Sequence, residues 1–303
     1  MNLALLTAMI AGAVVLAVPL LFAALGETVV EKTGRLNLGI EGMMIMGALA
    51  GVWGSSVAGP WAGLVLAAVS GILLAAIMNV AVYRWHGNEV VVGIAISMLG
   101  VGLSTFLFQL WLPAGTTNVS VSLLPKIVIP GLSELPLVGK ALFGQGVLTY
   151  VAIAAIIALS LMLRRTRIGL ELKSAGMDAA SATLRGVDVE AVRKRALLFG
   201  GMMAAVGGAA ITVGDIGSFS PNITEGRGYI ALAIVIVGRC TPIGALGGAL
   251  LFAAFESVSF LGQGLEWSWP TEAYAALPYL VTLAVLIASG AVTRRNRSKV
   301  IRA

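Results

Sequence analysis

Long apolar runs separated by short polar joints make up most of the chain. A helix needs about 20 apolar residues to cross the roughly 30 Å hydrocarbon core of a bilayer. Runs of that order cover residues 3–25, 36–57, 61–83, 90–112, 145–163, 196–214, 243–262 and 276–292. One more, 229–241, is short for a crossing and reads as a re-entrant segment or as part of its neighbour. The pattern predicts an all-α fold: a polytopic integral membrane helical bundle of about nine spans, with broken or re-entrant helices, forming a single transmembrane domain over residues 1–303. The first run lacks a preceding basic region and is longer than the apolar core of a secretory signal, so it reads as a retained span.

The composition agrees with a lipid-embedded chain. Of 303 residues 58% are hydrophobic and 11% charged, and the mean hydropathy is +0.97. Soluble domains carry about 25% charged residues, so too little polar surface is left here to face water. The 38 glycines suit close helix packing in lipid. The net charge of +6 does not mark a nucleic-acid binder, because the basic residues lie between apolar runs and at the C-terminus. That is the distribution of orientation signals in a membrane protein. The connection 164–195 holds Arg164, Arg165, Arg167, Lys173, Arg185, Arg193, Lys194 and Arg195; the tail 293–303 holds Arg294, Arg295, Arg297, Lys299 and Arg302. Both are expected on the cytoplasmic side of an inner membrane. Nine spans then put the N-terminus outside, with Lys32, Arg35, Arg84 and Arg239 inside and Lys126, Lys140 and Arg227 outside.

Two joints stand out. The 113–144 stretch is rich in Pro and Gly and reads as an ordered outer loop. In the 164–195 connection, a short Ala-rich helix is expected over Met177–Leu184, starting at Gly176 and Asp178 and stopped by Gly186. A second helix starts near Asp188 as N-cap and runs into the next span. A short helix lying between two spans fits a docking element for a cytoplasmic partner and fits a plain interfacial turn equally well.

Several chemistries are excluded. No phosphate-binding G-x-x-x-x-G-K-[ST] is present, so ATP is not bound that way. "GRGYIA" at 226–231 does not follow a strand, which argues against a dinucleotide site. Cys240 is the only cysteine, which removes intrachain disulfides and thiolate clusters, and the only histidine, His86, lies at a run end beside Arg84 and Trp85 and reads as an interfacial residue rather than a member of a triad or zinc site. The tryptophans fall mostly near run ends, as in an interfacial aromatic belt. What remains is charge within apolar runs, which costs about 2.5–3.5 kcal/mol per group at the bilayer centre on insertion scales. Glu41, Glu256, Asp215 and Arg239 are the cases. Around Glu41, the glycines 34, 39, 42 and 47 predict a break in its helix. Asn37 and Glu41 then either brace freed backbone groups or line an aqueous path. Glu256 fits an interhelical hydrogen bond ahead of a pathway role.

These residues carry a resemblance. "AVPLLFAALGETVVEKTGRLNLGIEGMMIMGALAG" (17–51), "SAGMDAASATLRGVDV" (174–189) and "GRGYIALAIVIVGRCTPIGALGGALLFAAFES" (226–257) resemble, in order, permease subunits of bacterial ABC importers. These belong to the branched-chain amino acid and ribose permease superfamily, and the form Gly34–Met44 is similar to the nucleoside and simple-sugar branch. The resemblance implies a coupling loop at Gly176, Asp178, Ala179, Ala180 and Gly186. Many ABC permeases place Glu before the two alanines, where this chain has Asp178, and their Gly comes sooner than Gly186. It also implies partners: a cytoplasmic ABC ATPase that binds the ATP, a second homologous permease, and an extracytoplasmic substrate-binding lipoprotein. No cofactor of the chain's own is implied. Nucleosides, simple sugars and branched-chain amino acids stay open as solutes. A stand-alone secondary transporter, with Glu41 or Glu256 carrying a proton, is the rival reading, and an intramembrane enzyme a second.

Overall fold

A computed structural model describes residues 3–111, 119–127, 143–264 and Leu280. Among the described residues ten helices follow one another: α1 Leu3–Glu31, α2 Ile40–Ala58, α3 Pro60–Asn79, α4 Glu89–Trp111, α5 Val147–Arg165, α6 Arg167–Met177, α7 Ala179–Leu184, α8 Val189–Ile211, α9 Arg227–Val237 and α10 Pro242–Gly264. Single π-helical turns extend α3 over Val80–Arg84 and α8 over Thr212–Ile216. No strand occurs among the described residues beyond an isolated bridge between Lys126 and Gly146.

Seven of these helices are long and apolar enough to cross a membrane. The short run 229–241 is the 11-residue α9. Of the run 276–292 only Leu280 is described, and the basic tail 293–303 lies outside the described residues, as does most of the 113–144 loop.

The polar joints mark the helix ends. Gly59 turns the chain with φ +87° and Pro60 opens α3, where the missing proline N–H would have had no helical partner. Thr166, Asp178 and Asp188 cap α6, α7 and α8 with their side-chain oxygens. The expected helix over Met177–Leu184 is corrected in one respect: Asp178 divides it, so Met177 closes α6 and α7 begins at Ala179.

α8 lies at the centre, packed against α1, α2 and α3. α2 and α8 are the most buried spans; in α3, α4, α5 and α10 only about a third of the residues are buried. Small residues allow the close approach: a methyl on Gly208 of α8 would overlap the Met44 carbonyl of α2. Gly42 and Gly47 serve the same purpose within a regular α2, against the backbones of Ile96–Ser97 and Ala205. They do not break the helix around Glu41 as the sequence suggested. The ends of the bundle differ in charge. The arginine-rich α6–α7 segment joins the ends of α5 and α8 at one end, the basic end. The 119–127 stretch covers the other, where Leu124 donates its N–H to Val213 and Val121 to Gly217.

Candidate functional site

The break lies between α8 and α9. After the π-helical turn ends at Gly217, at the far end, the chain runs without helix over 217–226 and then forms α9. Eleven residues at 1.5 Å each make α9 about 16 Å long, roughly half the hydrocarbon thickness. It ends beside the basic end of α1, where the Cys240 thiol meets Glu31 Oε2 at 3.0 Å. Segment 217–226 and α9 thus share one traverse of the bundle. Non-helical backbone at membrane depth is tolerated where protein buries it or a cavity borders it.

Glu41 holds the start of α9. It is the second residue of α2 and 4% exposed. Its Oε1 accepts the Thr224 hydroxyl at 2.5 Å and the Gly226 N–H at 3.1 Å; its Oε2 accepts the Gly228 N–H at 2.7 Å. The first N–H groups of a helix lack intrahelical partners, and the N-terminus carries about half a positive charge. A carboxylate from another helix meets both needs. Gly228 is required for this approach, because a Cβ there would lie 2.7 Å from Glu41 Oε2.

Asn37 prepares Glu41's position. It is fully buried, its N–H donates to Glu27 Oε1 at 2.9 Å, and its Oδ1 accepts the Gly39 N–H at 3.1 Å. The side chain closes a local turn that starts α2 at Ile40. The buried amide and carboxylate in "GRLNLGIEGMM" therefore act in sequence: one starts α2, the other caps α9.

Glu256 reaches the same turn from α10. Its Oε1 pairs with Nη2 of Arg227, the first residue of α9, at 2.6 Å. The interhelical hydrogen bond expected of Glu256 is present. Its partner, counted from sequence as an outer-loop cation, instead opens α9 within the bundle. Asp215, on the π-helical turn, is exposed, and its side chain has no hydrogen-bond or ion-pair partner among the described residues. His86 and Trp85 are exposed in the turn before α4.

The five residues expected to form a coupling loop gather at the basic end. Asp178 accepts the N–H groups of Ala180 and Ser181 and the Ser181 hydroxyl. The Ser181 hydroxyl is the main cause holding this carboxyl below the usual carboxylate range, so the cap is charged at neutral pH. Ala179 and Ala180 form the first turn of α7, and Gly186, with φ +85°, ends it. Gly176 lies against the backbone of Lys32 and Gly34. Met177 and Leu184 are 87% and 89% exposed, an unusual position for large apolar side chains beside a charged segment.

Sequence reasoning missed the clasp between this segment and the α1–α2 joint. Arg193 Nε donates to the Thr33 carbonyl at 3.2 Å and Nη2 to Ala175 at 3.3 Å. Arg35 pairs with Glu89 at 2.7 Å, and Glu89 also accepts the Leu36 N–H at 3.0 Å. Burial works against the Arg35 charge, but Glu89 prevails and raises its pKa above the ordinary value. Glu27 and Glu31 were legible as two carboxylates one turn apart, but a span drawn to end at residue 25 left them in a loop.

Residues 9–289 match the family model described as the branched-chain amino acid transport system / permease component. The chain belongs to this family. Among curated relatives, it is 33% identical over 286 residues to a putative glucose ABC transporter permease protein of Haloferax volcanii, covering 88% of this chain and 87% of that one. It is 31% identical to a nucleoside ABC transporter permease protein of Lactococcus lactis, covering 91% and 90%. It is 30% identical to a guanosine ABC transporter permease protein of Bacillus subtilis, covering 93% and 91%. The chain is therefore a multi-pass membrane protein and an ABC permease subunit, a transport component.

Proposed function

We propose that the chain is one permease subunit of an ABC importer for nucleosides. The observation that carries this is the likeness to the nucleoside and guanosine permeases over about nine-tenths of both chains, in agreement with the form of the Gly34–Met44 segment. A simple sugar is the second reading, favoured by the 33% identical putative glucose permease.

In this reading residues 1–303 form one transmembrane domain of about nine crossings in the bacterial inner membrane. The crossings comprise the seven long helices, the broken 217–237 traverse and the 276–292 run. The basic end faces the cytoplasm, with the C-terminus inside. A cytoplasmic ATPase binds the ATP and docks on α6–α7, where exposed Met177 and Leu184 give it an apolar grip. A substrate-binding lipoprotein delivers the solute at the far end, and a second homologous permease completes the path. The chain itself needs no cofactor. Asn37, Glu41 and Glu256 act on the path by fixing where α9 begins.

Uptake of labelled uridine, guanosine and glucose by cells with and without the complete transporter tests the assignment. Nucleoside uptake that is lost with this subunit and needs ATP is expected. Uptake of glucose alone would transfer the assignment to sugars. Transport by this chain reconstituted alone, without ATP, would make it a secondary carrier.

A further inference from the structure

A cavity of about 460 Å³ lies between the far halves of α1 and α10, the π-helical turn after α8, and the first residue of α9. Its size is in the range of small-molecule sites. Three backbone irregularities meet there. Pro19 in α1 has no N–H to offer the Val15 carbonyl, and both residues line the cavity. The Thr212–Ile216 turn contributes Asp215 and Ile216; such turns are frequent at functional sites. The α9 N-terminus contributes Arg227. Ionisable groups around a cavity at membrane depth mark solute pathways by default.

The chemistry of the walls is mixed in a particular way. Asp215 is a carboxylate at the far end with no partner among the described residues. Arg227, about half a membrane thickness from the basic end, already holds Glu256. Leu16, Pro19 and Phe260 supply apolar surface between them. A solute suited to this cavity has hydroxyls for a carboxylate, a flat aromatic ring system whose faces can lie on apolar walls, and no net charge. A sugar lacks the ring system. The carboxylate of an amino acid would meet Glu256 at the guanidinium. By contrast, the groove of about 420 Å³ between α2, α3 and α4 has only Ser70 as a polar lining side chain apart from tryptophan. It offers a polar solute little.

We infer that this α1–α8–α10 cavity is the nucleoside-binding station of the subunit, with Asp215 accepting the ribose 2′- and 3′-hydroxyls and the apolar walls holding the base. The inference rests on the nucleoside reading above. Solute enters from the far end past Asp215 and comes to rest above Arg227, whose position the Glu41 cap and Glu256 determine.

The test is initial-rate uptake in cells carrying the complete transporter, with the membrane level of the subunit measured in each case. The solutes are uridine, 2′,3′-dideoxyuridine, glucose and leucine. Asp215→Ala is expected to raise the KM for uridine at least tenfold more than for the dideoxy analogue. Leu16→Trp, which fills the cavity, is expected to lower uptake of both nucleosides at normal membrane levels. Should Leu16→Trp fail to reach the membrane, Phe260→Ala replaces it, with loss of affinity for both nucleosides expected. Equal KM changes for uridine and its dideoxy analogue, or unchanged uptake in both variants, would overturn the station while leaving the nucleoside assignment in place. Wild-type uptake of glucose or leucine without uridine would instead remove the assignment, and the station with it.

Discussion

Gly176 of α6 lies against the carbonyl of Lys32, so close that one added methyl would overlap the carbonyl oxygen. Arg193 closes the same contact from α8, bonding to Thr33 and Ala175. Seven residues after Gly34, on the same stretch of chain, Glu41 caps α9. A displacement of α6–α7 is thus joined to the start of the half-length helix by direct contacts and a short, well-bonded segment. Gly176→Val is expected to part α6 from the α1–α2 joint, at a cost of about 1–3 kcal/mol for overpacking. The expected phenotype is ATP hydrolysis retained with uptake reduced tenfold or more. The ratio of solute moved to ATP hydrolysed in proteoliposomes checks it; an unchanged ratio would show that the contact transmits nothing.

Glu41→Ala removes the acceptor of three donors at once. Each buried donor left without a partner costs about 1–3 kcal/mol, and no water is at hand in the bilayer core to replace the carboxylate. A lowered unfolding temperature in detergent and loss of uptake are expected. Glu41→Gln should be intermediate, because the amide keeps one acceptor oxygen but turns an N–H₂ toward existing donors. A Gln variant as stable as wild type would mean that charge at the α9 N-terminus matters little.

Gly186→Trp separates strain from contact. The glycine has φ +85°, and a Cβ would meet nothing within 4 Å. The conformation costs an L-residue about 1–2 kcal/mol, too little to prevent insertion of a bundle this size. The indole would stand on the surface proposed for the ATPase. Normal membrane levels with impaired coupling are expected, and normal uptake by a well-expressed variant would place the docking elsewhere.

The sequence disclosed what depends on solvent and left hidden what depends on packing. Apolar run length located each of the seven long helices to within several residues, because the bilayer sets that length. Asp178, Gly186 and Asp188 were legible because caps and stops are local chemistry. Glu41 was recognisable as an anomaly, yet its partners lie more than 180 residues away at Thr224, Gly226 and Gly228. The glycines near it suggested a break in its own helix, whereas Gly42 and Gly47 serve interhelical contact. Arg227 looked like a loop charge because α9 is too short to read as a span.

Cys240 reports on both the chemistry and the orientation of the basic end. Burial first, and then the Glu31 carboxylate that receives its S–H, push its pKa up to about 12. The thiolate is the reactive form. At pH 8 an ordinary thiol of pKa about 8.5 is roughly a quarter ionised, whereas one near 12 is ionised to about one part in ten thousand. Maleimide labelling at pH 8 should therefore be about 2,500-fold slower than for a free thiol and rise about tenfold per pH unit between pH 7 and 10. Glu31→Gln removes the second cause and should accelerate it. Since Cys240 is the only cysteine, a membrane-impermeant maleimide also reads sidedness: labelling is expected in inverted vesicles, not in right-side-out ones. Rapid labelling at pH 7 would contradict the buried thiol–carboxylate contact, and labelling from the outside would reverse the assignment of the basic end to the cytoplasm.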